Sequence, residues 1–372
     1  MRFRLLLSLA ALHFCASQCY AQIELISNRP GWAAHARGLY VFHSGVSDDP
    51  AFGVLTGPTV DRSAGNAPPT VNGVNVIQGT SHDLDAKQAT IDGPGLRLSV
   101  LNQNRGGWFG GAIYEGILIH GYRQIGGATD IDNIHANFIN RTLADNNALN
   151  DDFDSGLVDF ASDHIDLNKQ SLEILFGRKV PVTTRVTAFW KIGLRGTYTD
   201  MKRNVFYRNI ETLVLPGPIF IPNADVDTAN INFQSEMWGI GPVFGAGAIW
   251  GIGDYWTLSG EASLGGSYTY FDLKRNESNF NQTLQRHAFS NIKTDSTGFV
   301  PTMEMSFELT GRILDNCHVA IGYTASASLG GARRISIPGW DDVDDETPAY
   351  IVENDDIITH GVYISACLLT GR

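Results

Sequence analysis

From Arg185 to Asp200 apolar and polar side chains alternate one for one. Val186, Ala188, Trp190, Ile192, Leu194 and Tyr198 hold even positions, while Arg185, Thr187, Lys191, Arg195, Thr197 and Thr199 hold odd ones. Successive side chains of an extended chain point to opposite faces, so a period of two sustained this long predicts one strand between two environments. The pattern recurs in Glu236–Trp250, where Trp238, Ile240, Phe244, Ala246, Ala248 and Trp250 oppose a face made mostly of glycine. It recurs again in Trp256–Tyr270, Phe299–Ile313 and Val319–Leu329; in the second of these Met303, Met305, Phe307 and Leu309 oppose Thr302, Glu304, Ser306, Glu308, Thr310 and Arg312.

Further strands are expected at Arg37–His43, Gly95–Asn102, Trp108–Tyr122, Ser162–Phe176 and Thr359–Leu369. Two of them are less regular. Ile113, Ile117 and Ile119 share a parity with Glu115, which leaves the facing of that strand open, and around Lys169 the parity slips, the mark of a bulge. Short turns fall at Arg178–Thr183, Gly251–Asp254 and Leu314–Asn316, and long polar stretches at 200–233, 273–297 and 330–356. Short turns on one side and long loops on the other predict a single transmembrane antiparallel β-barrel of about ten strands, within 8–12, with periplasmic turns and extracellular loops.

Aromatic placement decides which face meets lipid. Trp238 and Trp250 share a face twelve residues apart, ~40 Å along a strand and ~30 Å in height at a ~40° tilt, close to an apolar band with an aromatic girdle at each edge. Sandwich strands average about 5 to 6 residues, too few for this spacing. Trp190, Trp238, Trp250 and Trp256 are therefore assigned to the girdles, and Arg97, Arg185, Lys191, Arg195, Glu261, Glu304, Glu308 and Arg312 to a wet lumen. Unpaired cations on the lipid side would cost roughly 2 to 4 kcal/mol each at mid-depth.

Composition narrows the reading further. A net charge of -12 disfavours nucleic acid as a partner, because phosphate binding needs a concentrated basic face. The start, MRFRLLLSLAALHFCASQCYAQ, has two arginines, a short apolar run and Cys19-Tyr20-Ala21, which predicts a signal peptide over residues 1–21 and a barrel over 22–372. The two cysteines beyond it, Cys317 and Cys367, flank the last hairpin and are a possible disulfide if Cys317 lies in the turn. No cysteine or histidine spacing suggests zinc, and neither a metal nor another cofactor is expected. No Ser/His/Asp grouping falls at matched strand depth, so an enzyme is not expected. The acidic tips Asp151–Asp154 and Asp341–Glu346, and the sequons at Asn140, Asn276 and Asn281, read as exposed loops.

Several segments resemble the pore-forming outer membrane proteins similar to the major outer membrane protein of Legionella. They are SLEILFGRKV followed by TAFWKIGLRGTYTD, then MWGIGPVFGAGAIWGIGDYWTLSGEASLGGSY, FVPTMEMSFELTGRI and VAIGYTASASL, with WGIGP and its glycine-rich strand the most specific. The resemblance implies an outer-membrane pore and brings no catalytic residues. The chain departs from many such barrels by ending ISACLLTGR rather than in an aromatic residue.

The expected function is a porin-like channel for passive diffusion of small hydrophilic solutes or ions through a polar, charged lumen. The alternative is a non-conducting barrel acting through its loops as an adhesin or envelope protein. Partners are then outer-membrane lipid, lipopolysaccharide and the solutes. Small barrels fill with their own side chains, so the lumen charges either form a transverse field or pair up and plug it.

Overall fold

The computed structural model describes residues 31–44, 91–126, 160–210, 226–281, 286–314, 317–336 and 350–370, with short strands at 52–56, 70–71, 74–75, 80–82, 134–136 and 157–158. Ten long strands form the barrel. They are β1 (Gly31–Ser44), β2 (Ile91–Gln103), β3 (Trp108–Gly126), β4 (Phe160–Pro181), β5 (Val186–Ile210), β6 (Val226–Ile252), β7 (Trp256–Asn281), β8 (Arg286–Leu314), β9 (Cys317–Ser336) and β10 (Ile351–Thr370). Each pairs antiparallel with its sequence neighbour, and β1 pairs with β10, so the sheet closes and has no edge. Both ends of the barrel chain lie at the short-turn end, since Trp32 pairs with Thr370 and Gly31 with Gln103. Beside the barrel, 52–56 pairs with 80–82 and 134–136, and 157–158 joins the last of these.

Short turns hold one end. Asn104 Oδ1 accepts hydrogen bonds from Gly106 N at 2.8 Å and Trp108 N at 3.2 Å, and Thr183 Oγ1 accepts from Val186 N at 3.0 Å. The turns after β2 and β6 each carry a glycine in the left-handed region, Gly107 at φ 78° and Gly253 at φ 69°.

The outward face is apolar over the expected height. Trp190, Ile192, Leu194, Trp238, Ile240, Phe244, Trp250, Leu264, Phe307 and Ile321 are all exposed large side chains. One step beyond the upper aromatic row the outer wall becomes charged. In register, Tyr198, Trp238 and Tyr270 lie side by side, followed by Asp200, Glu236, Asp272 and Asp295, then by Lys202, Gln234, Lys274 and Lys293. A lipid-facing wall cannot carry such rows, so they mark where the strands leave the hydrocarbon.

The strands do not end there. β5 to β8 run for 25, 27, 26 and 29 residues, and ~3.3 Å per residue makes the longest about 95 Å, far more than a ~25 Å band needs at any barrel tilt. Two of the long polar stretches are thus largely strand. β5 and β6 continue to Ile210 and from Val226, and β7 and β8 are joined across 282–285 alone. Above the boundary the alternation persists with its phase inverted. Met201, Val205, Tyr207, Ala229, Ile231, Phe233, Phe271 and Leu273 point inward and are buried, while Lys202, Asn204 and Arg208 point out.

Phase inversion also replaces the expected bulge at Lys169. β4 keeps one register with β3 and β5 throughout, so its odd residues all face the lumen, with Ile165 and Leu167 above and Lys169 and Glu173 below. What slips there is the solvent on each side, not the backbone. The open facing of β3 is settled likewise, since Glu115 faces inward with Ile113, Ile117 and Ile119. The turn after β4 lies at 182–185, later than the Arg178–Thr183 expected, because β4 extends to Pro181.

Candidate functional site: the charge belt in the lumen

Between the two aromatic rows the inward face carries a belt of charge that spans the barrel. Lys191 on β5 lies 2.6 Å from Glu261 on β7 and 3.2 Å from Glu173 on β4. Arg195, two strand periods further along β5, binds Glu173 and reaches across to Glu304 on β8, with one Nη–Oε contact at 3.0 Å. Arg37 on β1 meets Glu308 on β8 at 3.1 Å and lies 3.7 Å from the ring centre of Tyr363 on β10. Arg97 and Glu115 pair at 3.2 Å between β2 and β3. Long side chains reach across because a barrel of this size is narrow enough for its interior to be filled by them.

Glycine makes the room. The inward face of β6 reads Gly239, Gly241, Val243, Gly245 and Gly247, and a Cβ on Gly245 would sit 2.7 Å from Lys191 Cε. Gly241 answers a different need, since its Cβ would lie 1.8 Å from the Gly266 carbonyl oxygen on β7. Next to it Pro242 has no N–H to donate, and the pairing of β6 with β7 passes from Ile240 to Val243. The WGIGP motif is therefore a close approach of two backbones beside a wall kept bare for the Lys191 chain.

Apolar layers lie on both sides of the belt. Toward the short turns Ala33, Leu101, Phe109, Leu175, Phe189 and Ile249 form one cluster. Toward the long connections Leu39, Val41, Ile117, Ile119, Leu167, Met201, Met237, Phe271, Leu273, Val300 and Ile335 form another. A second tier of pairs stands in this outer section, Arg203–Asp163 at 2.7 Å and Arg275–Glu277 at 2.8 Å among them. The lumen of the described residues is thus packed rather than open, and the belt charges named above are ion-paired. Beside the belt remains a void lined by Arg97, Glu115, Glu304, Thr324, Ser326 and Thr359 among others, with room for about one water molecule.

Six of the eight charged residues assigned to the lumen from sequence come together in the belt: Arg97, Lys191, Arg195, Glu261, Glu304 and Glu308. Two do not. Arg185 is exposed in the turn before β5, its backbone N donating to Thr183 Oγ1 at 3.2 Å. Arg312 has the inward parity but sits exposed at the rim, where its N–H donates to the Tyr255 carbonyl and its guanidinium lies 5.9 Å from the Tyr255 ring centre. Parity assigns a face and leaves depth undecided, and both residues lie where the strand meets a turn. The cysteine pair is corrected too. Cys317 and Cys367 form no disulfide; Cys317 pairs in register with Leu368, and Cys367 is buried on the inward face opposite His318. Sequence reading missed Arg37, Glu115, Glu173 and Tyr363. Glu115 and Glu173 were hidden by the two strands of unsettled facing, and Arg37 by the shortness of the first strand expected.

The four tryptophans assigned to the girdles, Trp190, Trp238, Trp250 and Trp256, are exposed on the outer wall. Trp238 packs at 4.3 Å on Tyr198, and Trp190 meets Trp108 edge-on at 5.8 Å. The leader expected over 1–21 and the acidic tips at 151–154 and 341–346 lie outside the described residues.

No family model and no curated protein matches the chain. Among solved structures it overlaps the outer membrane protease OmpT from Escherichia coli, at 7% identity over 91% of this chain and 96% of that one, with a TM-score of 0.39. The toluene transporter TbuX of Ralstonia pickettii follows at 11% identity, 91% and 89% coverage and a TM-score of 0.30. A Pseudomonas aeruginosa FadL homologue gives 10%, 91% and 90%, and 0.24. At these values the overlaps bring no activity, substrate or ligand to this chain.

Proposed function

We propose that this chain is an outer-membrane channel for small hydrophilic solutes or ions, shut in the conformation described by the belt and the apolar layers around it, and related to the pore-forming proteins its WGIGP segment resembles. The observation that carries the proposal is the belt itself. Ionisable groups held inside the membrane height are expensive and mark solute or proton pathways. A barrel that only needed filling would be served as well by apolar side chains, since replacing a buried ion pair by packed hydrophobes is often neutral or stabilising. The same barrel uses such side chains above and below the belt.

Single-channel recording on the purified, refolded protein tests this. The intact chain is expected to pass small, brief currents, and Glu304→Ala to lengthen them by freeing one arm of Arg195. Silence from both proteins, each folded as judged by heat-dependent gel mobility, would overturn the channel. The reading then favoured is a non-conducting envelope barrel that displays its long connections. What supports that second reading is the extension of β5 to β8 far beyond the apolar band.

A further inference from the structure

The belt has dry members and wet ones. Arg37, Glu173 and Lys191 have side chains exposed by 1%, 3% and 3%, whereas Arg97, Glu115, Glu304 and Glu261 reach 12%, 13%, 18% and 14%. The difference is not one of charge or pairing, because each of these seven side chains has an ion-pair partner. Three of the four wetter members lie against one void, and the fourth, Glu261, pairs with dry Lys191. The water-sized void lies against the wet members Arg97, Glu115 and Glu304, and its remaining polar lining consists of the hydroxyls of Thr324, Ser326 and Thr359. On the other side of Glu304 from Ser326, Ser263 and the Lys191 chain crowd the bare wall of Gly245, where an added Cβ would lie 3.3 Å from Ser263 Cβ and 2.7 Å from Lys191 Cε.

We infer that water and solutes cross the belt along a single seam, between β2–β3 and β8–β10, and that the Lys191–Glu173–Arg195 cluster is a strut that holds the barrel closed beside it. Hydroxyls suit such a route, since they can donate and accept as a ligand exchanges its hydration shell. Ser326 and Thr359 already share a hydrogen bond of 2.7 Å across the β9–β10 pair, so each is placed to hand a polar ligand to the other. The seam accepts species of about the size of one water, small ions included, and rejects apolar or bulky solutes. Its upper exit is closed by Leu39, Val41 and Ile117, which also line the void. An apolar constriction of this kind stops ions by shedding water.

The inference rests on the channel reading for its consequence, a solute route, but not for its geometry, and one experiment separates the two. In the full chain with Cys317→Ser and Cys367→Ser, single cysteines are placed at Ser326 on the seam and at Ser263 beside the strut. Each protein, refolded in vesicles, is treated with silver ion, a thiol-binding cation of about the size of one water. The Ser326→Cys protein is expected to react at least about tenfold faster than the Ser263→Cys protein, and its single-channel current to fall as it reacts. Equal rates, or no reaction at Ser326→Cys in protein of native gel mobility, would overturn the seam. Selective reaction in a barrel that carries no current before or after would leave the seam standing and remove the channel. The current of the Ser326→Cys protein is recorded before and after reaction, so that any block is read against the same protein unmodified.

Discussion

The barrel has two sections built from the same strands with opposite rules. Where it faces lipid, Trp190, Ile192 and Leu194 point out and Lys191 and Arg195 point in; a few residues further along β5, Lys202 and Asn204 point out and Met201, Val205 and Tyr207 point in. In the first section the surroundings are apolar, so apolar groups are stable outside and polar ones must be gathered in the lumen and paired. In the second the surroundings are water, and the section folds as a soluble barrel with an ordinary apolar interior. An alternating pattern therefore shows that a chain is extended between two environments, and only its phase shows which of them is the membrane.

Substitutions can break that comparison or sharpen it. The largest effects are expected on the inner face, for opposite reasons on the two sides of the boundary. Phe271→Ala, in the watery section, removes a fully buried ring and should lower unfolding stability by about 3–5 kcal/mol in a denaturant titration in detergent. Glu173→Ala, in the lipid section, leaves Lys191 and Arg195 short of a partner and should cost a similar ~3–5 kcal/mol. A small loss there would mean that the belt is hydrated through its whole width.

Next comes one change made on the outer face of each section. Ile192→Arg puts a cation among acyl chains and should cost ~2–4 kcal/mol, while Asn204→Arg should stay within about 0.5 kcal/mol. Similar losses at both sites in bilayer refolding would move the boundary drawn at Tyr198. Gly241→Ala should cost about 1–3 kcal/mol by forcing β6 away from β7, and Gly196→Ala, which meets nothing within 4 Å, should cost nothing by the same assay. The smallest effect is expected from Lys202→Ala, which loses an exposed 3.1 Å pair with Asp200 worth under about 1 kcal/mol, with no change in conductance.

Much of this was legible one residue at a time. All ten strands, their antiparallel order, the outward tryptophans and six of the belt residues follow from period and parity, because a strand fixes the face of each side chain as soon as one of them is placed. The failures share a cause. The polar stretches after Thr199 and around 273–297 read as loops because an apolar outward face vanishes where the wall becomes wet. The apparent slip at Lys169 was that same transition seen inside one strand. Arg185 and Arg312 were misplaced because parity is blind to depth, and neither residue is far enough from a turn to enter the lumen. The Cys317–Cys367 bridge failed on the register of β9 against β10, which puts the two thiols in different rows.

By itself the sequence determined the alternation, and with it a closed sheet whose two faces meet unlike surroundings, since a two-residue repeat is a local property of the chain. Whether the inward charges stand apart in water or join across the barrel was left to the tertiary structure. That outcome depends on circumference and stagger, which bring Arg195 of β5 within reach of Glu304 of β8 and Arg37 of β1 within reach of Glu308. No local pattern encodes the distance across a ring that only the pairing of β1 with β10 completes.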